Sequence, residues 1–146
     1  MRSRSGDFLF ALHFPISATS AFEAEFFAHY KSVSWAIDNG YQSFEPESDS
    51  HEVMKAIEDT NLAGRWKKMA LELRRWMAEN GISFRHVLRD VNWPAHFMSI
   101  LYSNDFIIFD SIRQVPVNIR RSLLIDQLGL SYFRICLFSP VNLGKL

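Results

Sequence analysis

The residues best suited to chemistry in this chain are a histidine and an aspartate that border a predicted β-hairpin. His96 opens an apolar run that reads HFMSILY, and Asp110 closes a second run that reads FIIFD. A short polar turn at residues 103–105 (SND) separates the two runs. If the runs pair, the two side chains lie on neighbouring strands within hydrogen-bond reach. A histidine oriented by an acid is the general base of many nucleophilic hydrolases, so the pattern indicates that chemistry.

The nucleophile that such a site needs is harder to find. The only cysteine is Cys136, inside the apolar run FRICLF, where a cysteine is expected to be a small core residue. The hydroxyl residues Ser17, Thr19 and Ser20 precede the first predicted helix and are the remaining candidates. Ser20 has a simpler explanation as an N-cap, because Ser20 and the glutamate three residues later form a capping box.

Around these residues the sequence predicts a single α+β domain over residues 1–146, with residues 1–6 disordered. Early helices precede a mostly antiparallel sheet, in the order β-α-α-α-β-β-β-α-β. Helices are indicated after Ser20, after the second capping box at residues 49–52, after Gly64, and after Pro116. Strands are indicated at residues 8–14, 82–89, 96–102, 106–110 and 132–138, of which the third and fourth form the hairpin.

Composition limits the partners that we expect. Sixteen basic residues balance sixteen acidic ones, so we predict no nucleic-acid partner and no membrane partner. A single cysteine is typical of a reducing compartment, which predicts a cytoplasmic protein. Neither a paired Cys/His motif nor a glycine-rich phosphate loop occurs, so we predict no metal and no cofactor.

The hairpin and the element order together resemble a papain-like hydrolase domain, most closely the Josephin type of deubiquitinating cysteine peptidase. The matching stretches are LELRRWMAENGISFRHV, AHFMSI, FIIFDSI and the downstream LSYFRI. The resemblance implies a peptide or ubiquitin-like protein partner, with His96 as general base and Asp110 as its orienting acid. It also implies a nucleophile at the start of the first helix, where Ser17, Thr19 and Ser20 stand instead of a cysteine. The expected protein is therefore a degenerate or Cys-less relative.

Two further hypotheses stay open at this point. The missing nucleophile, the neutral charge and thirteen phenylalanines favour a non-enzymatic interaction protein, such as a small bacterial inhibitor or immunity protein. A small RNA-binding or nuclease domain rests only on the arginine doublets at residues 74–75 and 120–121.

Overall fold

The computed structural model describes Met1 and residues 7–89, 92–101 and 103–127. Cys136, the strand predicted at residues 132–138 and the lead at residues 2–6 lie outside the described residues. The elements, in chain order, are β1 (Ala11–His13), α1 (Ala21–Asp38), β2 (Glu47–Ser48), α2 (His51–Glu58), α3 (Arg65–Asn80), β3 (Arg85–His86), α4 (Trp93–Ser99), β4 (Ile107–Phe109) and α5 (Val117–Gln127).

The three longest early elements are helices whose ends are set by local chemistry. Ser20 caps α1, because its hydroxyl accepts a hydrogen bond from the backbone N–H of Glu23 at 3.1 Å. Ser50 caps α2 in the same way, one residue later than the predicted capping box begins. Helix α3 ends at Gly81, whose φ of 63° is left-handed and favours glycine. None of the described helices is both long enough and apolar enough to span a bilayer.

The main core lies where α1, α2 and α3 pack together. Phe26 and Val33 on α1 are buried in the same cluster as Val53 and Ile57 on α2 and Leu73 on α3. These apolar residues recur at the helical spacing expected of an amphipathic helix, which is why each helix turns one stripe inward. The packing therefore fixes the three helices relative to each other.

The strands form two separate pairs. Strands β2 and β3 are parallel, with Glu47 opposite Arg85 and Ser48 opposite His86. Two parallel strands need a long crossover, and α2 and α3 supply it. Strands β1 and β4 are antiparallel, and they border a second buried cluster that contains Phe109, Val115, Ile119 and Leu123.

The predicted α+β class with early helices is confirmed, and β1 and β4 supply the antiparallel pairing. The predicted hairpin of residues 96–112 does not form, because residues 93–99 are helical and β4 pairs with β1. Pro94 stands in the first turn of α4, where its fixed φ favours a helix. Trp93 and Phe97, four residues apart, stack with ring centroids 5.4 Å apart.

Replacing Leu73 with alanine tests whether the three-helix core sustains the fold. Leu73 is fully buried, so Leu73→Ala should lower the free energy of unfolding by about 2–5 kcal/mol. Leu71 on the same helix is 51% exposed and is the matched control, for which we expect a change within about 0.5 kcal/mol. Urea unfolding followed by circular dichroism measures both, and equal losses would contradict this description of the core.

Candidate functional site

Polar side chains gather where the parallel strands end. Asp49 directly follows β2 and His86 is the last residue of β3, so both lie at the carboxyl edge of the pair. The Asn92 amide donates to Asp49 Oδ1 at 2.7 Å, and Arg89 Nε lies 3.7 Å from Asp49 Oδ2. The carboxyl ends of parallel strands are a common place for ligands, because the loops that follow them are free to carry function.

Two imidazole rings complete this cluster. His51, the first residue of α2, stacks on His86 with ring centroids 3.7 Å apart and planes inclined by 15°. Strand pairing fixes the position of His86, since its neighbours bond to β2 through the Val87 N–H and the Ser48 carbonyl at 2.9 Å. We call the group formed by Asp49, His51, His86, Arg89 and Asn92 the edge site.

The edge site is open to a ligand. The side chain of Arg89 is 79% exposed, and that of Asp49 is 22% exposed. Arginine, asparagine and imidazole supply hydrogen-bond donors, while the carboxylate supplies acceptors. The arrangement therefore suits a ligand with anionic or strongly accepting groups held beside one carboxylate.

The charge of Asp49 also acts on His29 of α1. Burial lowers the pKa of His29 to about 4, and the negative charge of Asp49 opposes part of that shift. The His29 ring packs edge-on against Phe84, with centroids 5.7 Å apart. His29 is therefore neutral at physiological pH and serves the packing of α1 against the residues that precede β3.

A second charged group lies at the start of α1 and α3. The carboxylate of Glu23 is buried, and it pairs with the guanidinium of Arg65. It also accepts hydrogen bonds from the backbone N–H of Thr19, at 2.7 Å, and from the Thr19 hydroxyl. The guanidinium of Arg65 lies over the Trp66 ring, 4.4 Å from its centroid. Glu23 is therefore satisfied inside the protein.

The residues that sequence reasoning assigned to catalysis lie on separate features. The His96 ring, on α4, contacts Trp93 edge-on with centroids 5.5 Å apart. Asp110 is exposed after β4, and its backbone N–H donates to the Gln114 side chain at 3.0 Å.

The three hydroxyl residues are distributed in a similar way. Thr19 bonds to Glu23, Ser20 caps α1, and Ser17 lines an apolar cavity. Within the described ranges no hydrogen bond joins His96 to Asp110 or to any of these hydroxyls. The catalytic roles assigned to these five residues stay a prediction.

Sequence reasoning missed the edge site because each of its members had a simpler explanation. Asp49 belongs to the predicted capping box at residues 49–52, and His51 and His86 form no paired Cys/His motif in the sequence. The available signal was an acid directly after a short strand (ESDS) and a polar run after a second strand (RDVN), with two helices between them. Only the parallel pairing brings the two runs together.

The described chain thus contains a parallel strand pair with a two-helix crossover and a polar carboxyl edge inside an α+β domain. The model of the reverse transcriptase-like family matches residues 1–100 of the 146 residues. The chain therefore belongs to the reverse transcriptase-like family, which has a ribonuclease H-like fold. No curated protein and no solved structure matches the chain significantly.

Family membership corrects the sequence-based interpretation. The papain-like, Josephin-type resemblance is wrong, and with it the expected cysteine-peptidase scaffold and its peptide or ubiquitin-like partner. The alternative of a bacterial inhibitor or immunity protein finds no support either. The exclusion of nucleic acid is also wrong, because ribonuclease H-like families typically bind nucleic acid. A balanced total charge misled the prediction, since it says nothing about a local cluster of donors.

Nucleases commonly hydrolyse phosphodiesters with two metal ions about 4 Å apart, which carboxylates must hold together. The donor set of the described residues does not fit such a centre. No three acidic, histidine or cysteine side chains of the described chain converge in a way that could hold a metal ion. Glu23 already pairs with Arg65, and Asp49 is shared between Asn92 and Arg89.

The lowered pKa of His29 predicts a pH-dependent stability. The unfolded chain binds the proton near the ordinary value of about 6.5, whereas the folded chain binds it only near 4. The stability due to neutral His29 is therefore complete above pH 6.5 and decreases as the pH falls toward 4. When the pH falls from 7 to 5, the unfolding free energy of the wild type should decrease by about 1–2 kcal/mol more than that of His29→Gln.

Urea unfolding at half-unit pH steps measures this difference. The two profiles should run parallel between pH 7.5 and 8.5, where His29 is neutral in both the folded and the unfolded chain, and this range is the internal control. If the two profiles stay parallel from pH 7 down to pH 5, the loss of stability at acid pH does not come from His29.

Proposed function

We propose that this protein is a nucleic-acid-binding domain of the ribonuclease H-like class, and that its edge site contacts the sugar–phosphate backbone. Membership of the reverse transcriptase-like family supports a nucleic-acid partner. The observation that carries the proposal is the group of donors around Asp49 at the carboxyl edge of β2 and β3. A phosphate oxygen is the nucleic-acid group that such donors recognise, whatever the base sequence.

Arg89 is the main phosphate ligand in this proposal. Its guanidinium carries five N–H donors in a planar fork that matches the oxygens of a phosphate. The contact to Asp49 is long, at 3.7 Å, and the side chain is 79% exposed, so the fork keeps free donors toward solvent. Asp49 holds the guanidinium at the strand ends without using all of its hydrogen-bonding capacity.

The remaining members of the edge site orient the ligand. The Asn92 amide holds the Asp49 carboxylate by its 2.7 Å hydrogen bond. The stacked rings of His51 and His86 present imidazole nitrogens at the same edge. These groups donate to phosphate or sugar oxygens and carry little base discrimination.

Binding, and not metal-assisted cleavage, is the activity that the described residues support best. The carboxylates of Glu23 and Asp49 contact arginine side chains of the same chain, as expected of a binding surface that needs no divalent ion. The edge site has one exposed arginine beside one carboxylate, so few phosphates are neutralised there, and the affinity should be modest and depend weakly on salt.

Arg89→Gln should weaken binding to duplex DNA, duplex RNA and an RNA–DNA hybrid to a similar extent, because a phosphate contact is insensitive to sequence. The slope of log K against log salt should become shallower by about one. Fluorescence anisotropy of labelled duplexes of about 16 base pairs, at salt concentrations from about 25 to about 200 mM, gives both quantities.

Arg75→Gln is the matched control for this substitution. Arg75 is also exposed and also forms a long ion pair, 3.8 Å from Glu79, but it lies on α3 outside the edge site. We expect Arg75→Gln to leave the affinity and the salt slope within about twofold of the wild type. If the two variants bind alike, the edge site is not the nucleic-acid contact.

Divalent ions should affect the protein little. A ligand that binds only the folded state raises its stability, and a metal held at a dedicated site would therefore raise the Tm. Because Glu23 and Asp49 already contact arginines, we expect about 5 mM Mg²⁺ to shift the Tm by less than about 1 °C. A larger rise in a thermal scan, abolished by Asp49→Asn, would show that a cation site forms there.

A further inference from the structure

An aromatic pocket lies on the molecule apart from the edge site. It has a volume of about 550 Å³, and we name it by its aromatic lining residues, Phe14, Phe27, Trp35 and Phe106; Lys31 and Ser34 also line it. The walls come from three segments of the chain: the residues after β1, one side of α1, and the turn before β4. This volume is within the range of small-molecule sites, about 300–1,000 Å³.

We propose that the aromatic pocket takes an unpaired base of single-stranded nucleic acid, with the neighbouring phosphate at Lys31. The inference rests on the proposed nucleic-acid function and extends it to a second contact. Aromatic side chains bind bases of any sequence, because every base offers a π-face for stacking. A cation beside such rings is the second element of single-strand recognition, since it holds the backbone.

Phe106 is the ring that best fits this role. It is 52% exposed and belongs to neither of the two buried clusters of the described residues. Its ring lies next to that of Phe14, with centroids 6.2 Å apart and an interplanar angle of 35°. One face of an aromatic ring is therefore supported by the protein while much of its surface stays in water, which is how a stacking platform is built.

The two ends of the pocket carry opposite charges, Lys31 at one and Asp38 at the other. Lys31 is exposed and forms no ion pair with a carboxylate of the described residues. Asp38 lies seven positions further along α1, and its carboxylate accepts from the Ser34 hydroxyl at 3.5 Å. A phosphate is therefore attracted to the Lys31 end and repelled from the Asp38 end. At the Asp38 end a carboxylate accepts hydrogen bonds from the N–H groups of a base.

The rings and the ammonium group together indicate the occupant of the pocket. An apolar peptide or a second copy of the chain would gain from the rings but would leave Lys31 without a function. A single-stranded polynucleotide uses both the rings and the ammonium group, and it is therefore the occupant to which the charges point.

The test measures binding of the full chain to a fluorescein-labelled single-stranded oligouridylate by anisotropy. An abasic oligomer of the same length is the second probe, because it keeps the phosphates and lacks the bases. Phe106→Ala should weaken oligouridylate binding about tenfold and leave abasic binding unchanged. Lys31→Gln should weaken the binding of both oligomers by a similar factor, because it removes a phosphate contact.

Two substitutions control for general effects of lost apolar or basic side chains. Ile100→Ala removes an apolar side chain that is 61% exposed and lies outside the pocket, and Lys67→Gln removes an exposed lysine of α3. Neither should change the affinity for oligouridylate. Circular dichroism checks that all four variants are folded.

The outcomes separate this inference from the proposed function. If Arg89→Gln weakens duplex binding while Phe106→Ala and Ile100→Ala bind oligouridylate alike, the pocket inference fails and the proposed function stands. If the wild type binds neither duplex nor single strand, both fail. If Phe106→Ala changes only self-association in sedimentation, or only the binding of an apolar peptide, the pocket is a protein contact and the inference is overturned.

Discussion

Burial of one side of α1 against α2 and α3 is the constraint on which the rest of the structure depends. Phe26 and Val33 are fully or almost fully buried, and they reach this state only when both later helices cover them. The chain between β2 and β3 must therefore travel through α2 and α3, and a connection of that length permits parallel pairing. The two helices that cover the apolar side of α1 therefore also allow β2 and β3 to run parallel, and their parallel pairing brings the residues of the polar edge together.

Charge compensation follows the same geometry. The Glu23 carboxylate is buried where α1 and α3 begin, so its charge must be balanced inside the protein, and Arg65 of α3 balances it. Asp49 meets Arg89 and Asn92, which come from the segment that follows β3. In both places a residue from a later element neutralises an acid from an earlier one. The packing of the helices and the neutralisation of Glu23 and Asp49 therefore depend on each other.

The incorrect hairpin shows how a short apolar run misleads. The run HFMSILY has too few residues to distinguish a period of two from a period of 3.6, so its periodicity alone does not separate strand from helix. Pro94 and the four-residue spacing of Trp93 and Phe97 were the local signs of a helix. Because residues 93–99 are helical and β4 pairs with β1, the hairpin on which the likeness to a cysteine peptidase depended does not form. Only the family relationship of residues 1–100 corrected the function.

The sequence by itself determined the features that depend on neighbours along the chain. The Ser20 hydroxyl meets the Glu23 N–H three residues later, and Gly81 stops α3 because it adopts a left-handed φ readily, so both helix ends were predictable. The α+β class and the buried stripes followed from periodicity. Only the tertiary structure decided that β2 runs parallel to β3, that β4 joins β1, and that Asp49 meets Asn92. These contacts join residues about 40 to 100 positions apart, and strand direction and partner depend on which helices cover which faces, a property of the whole packed chain.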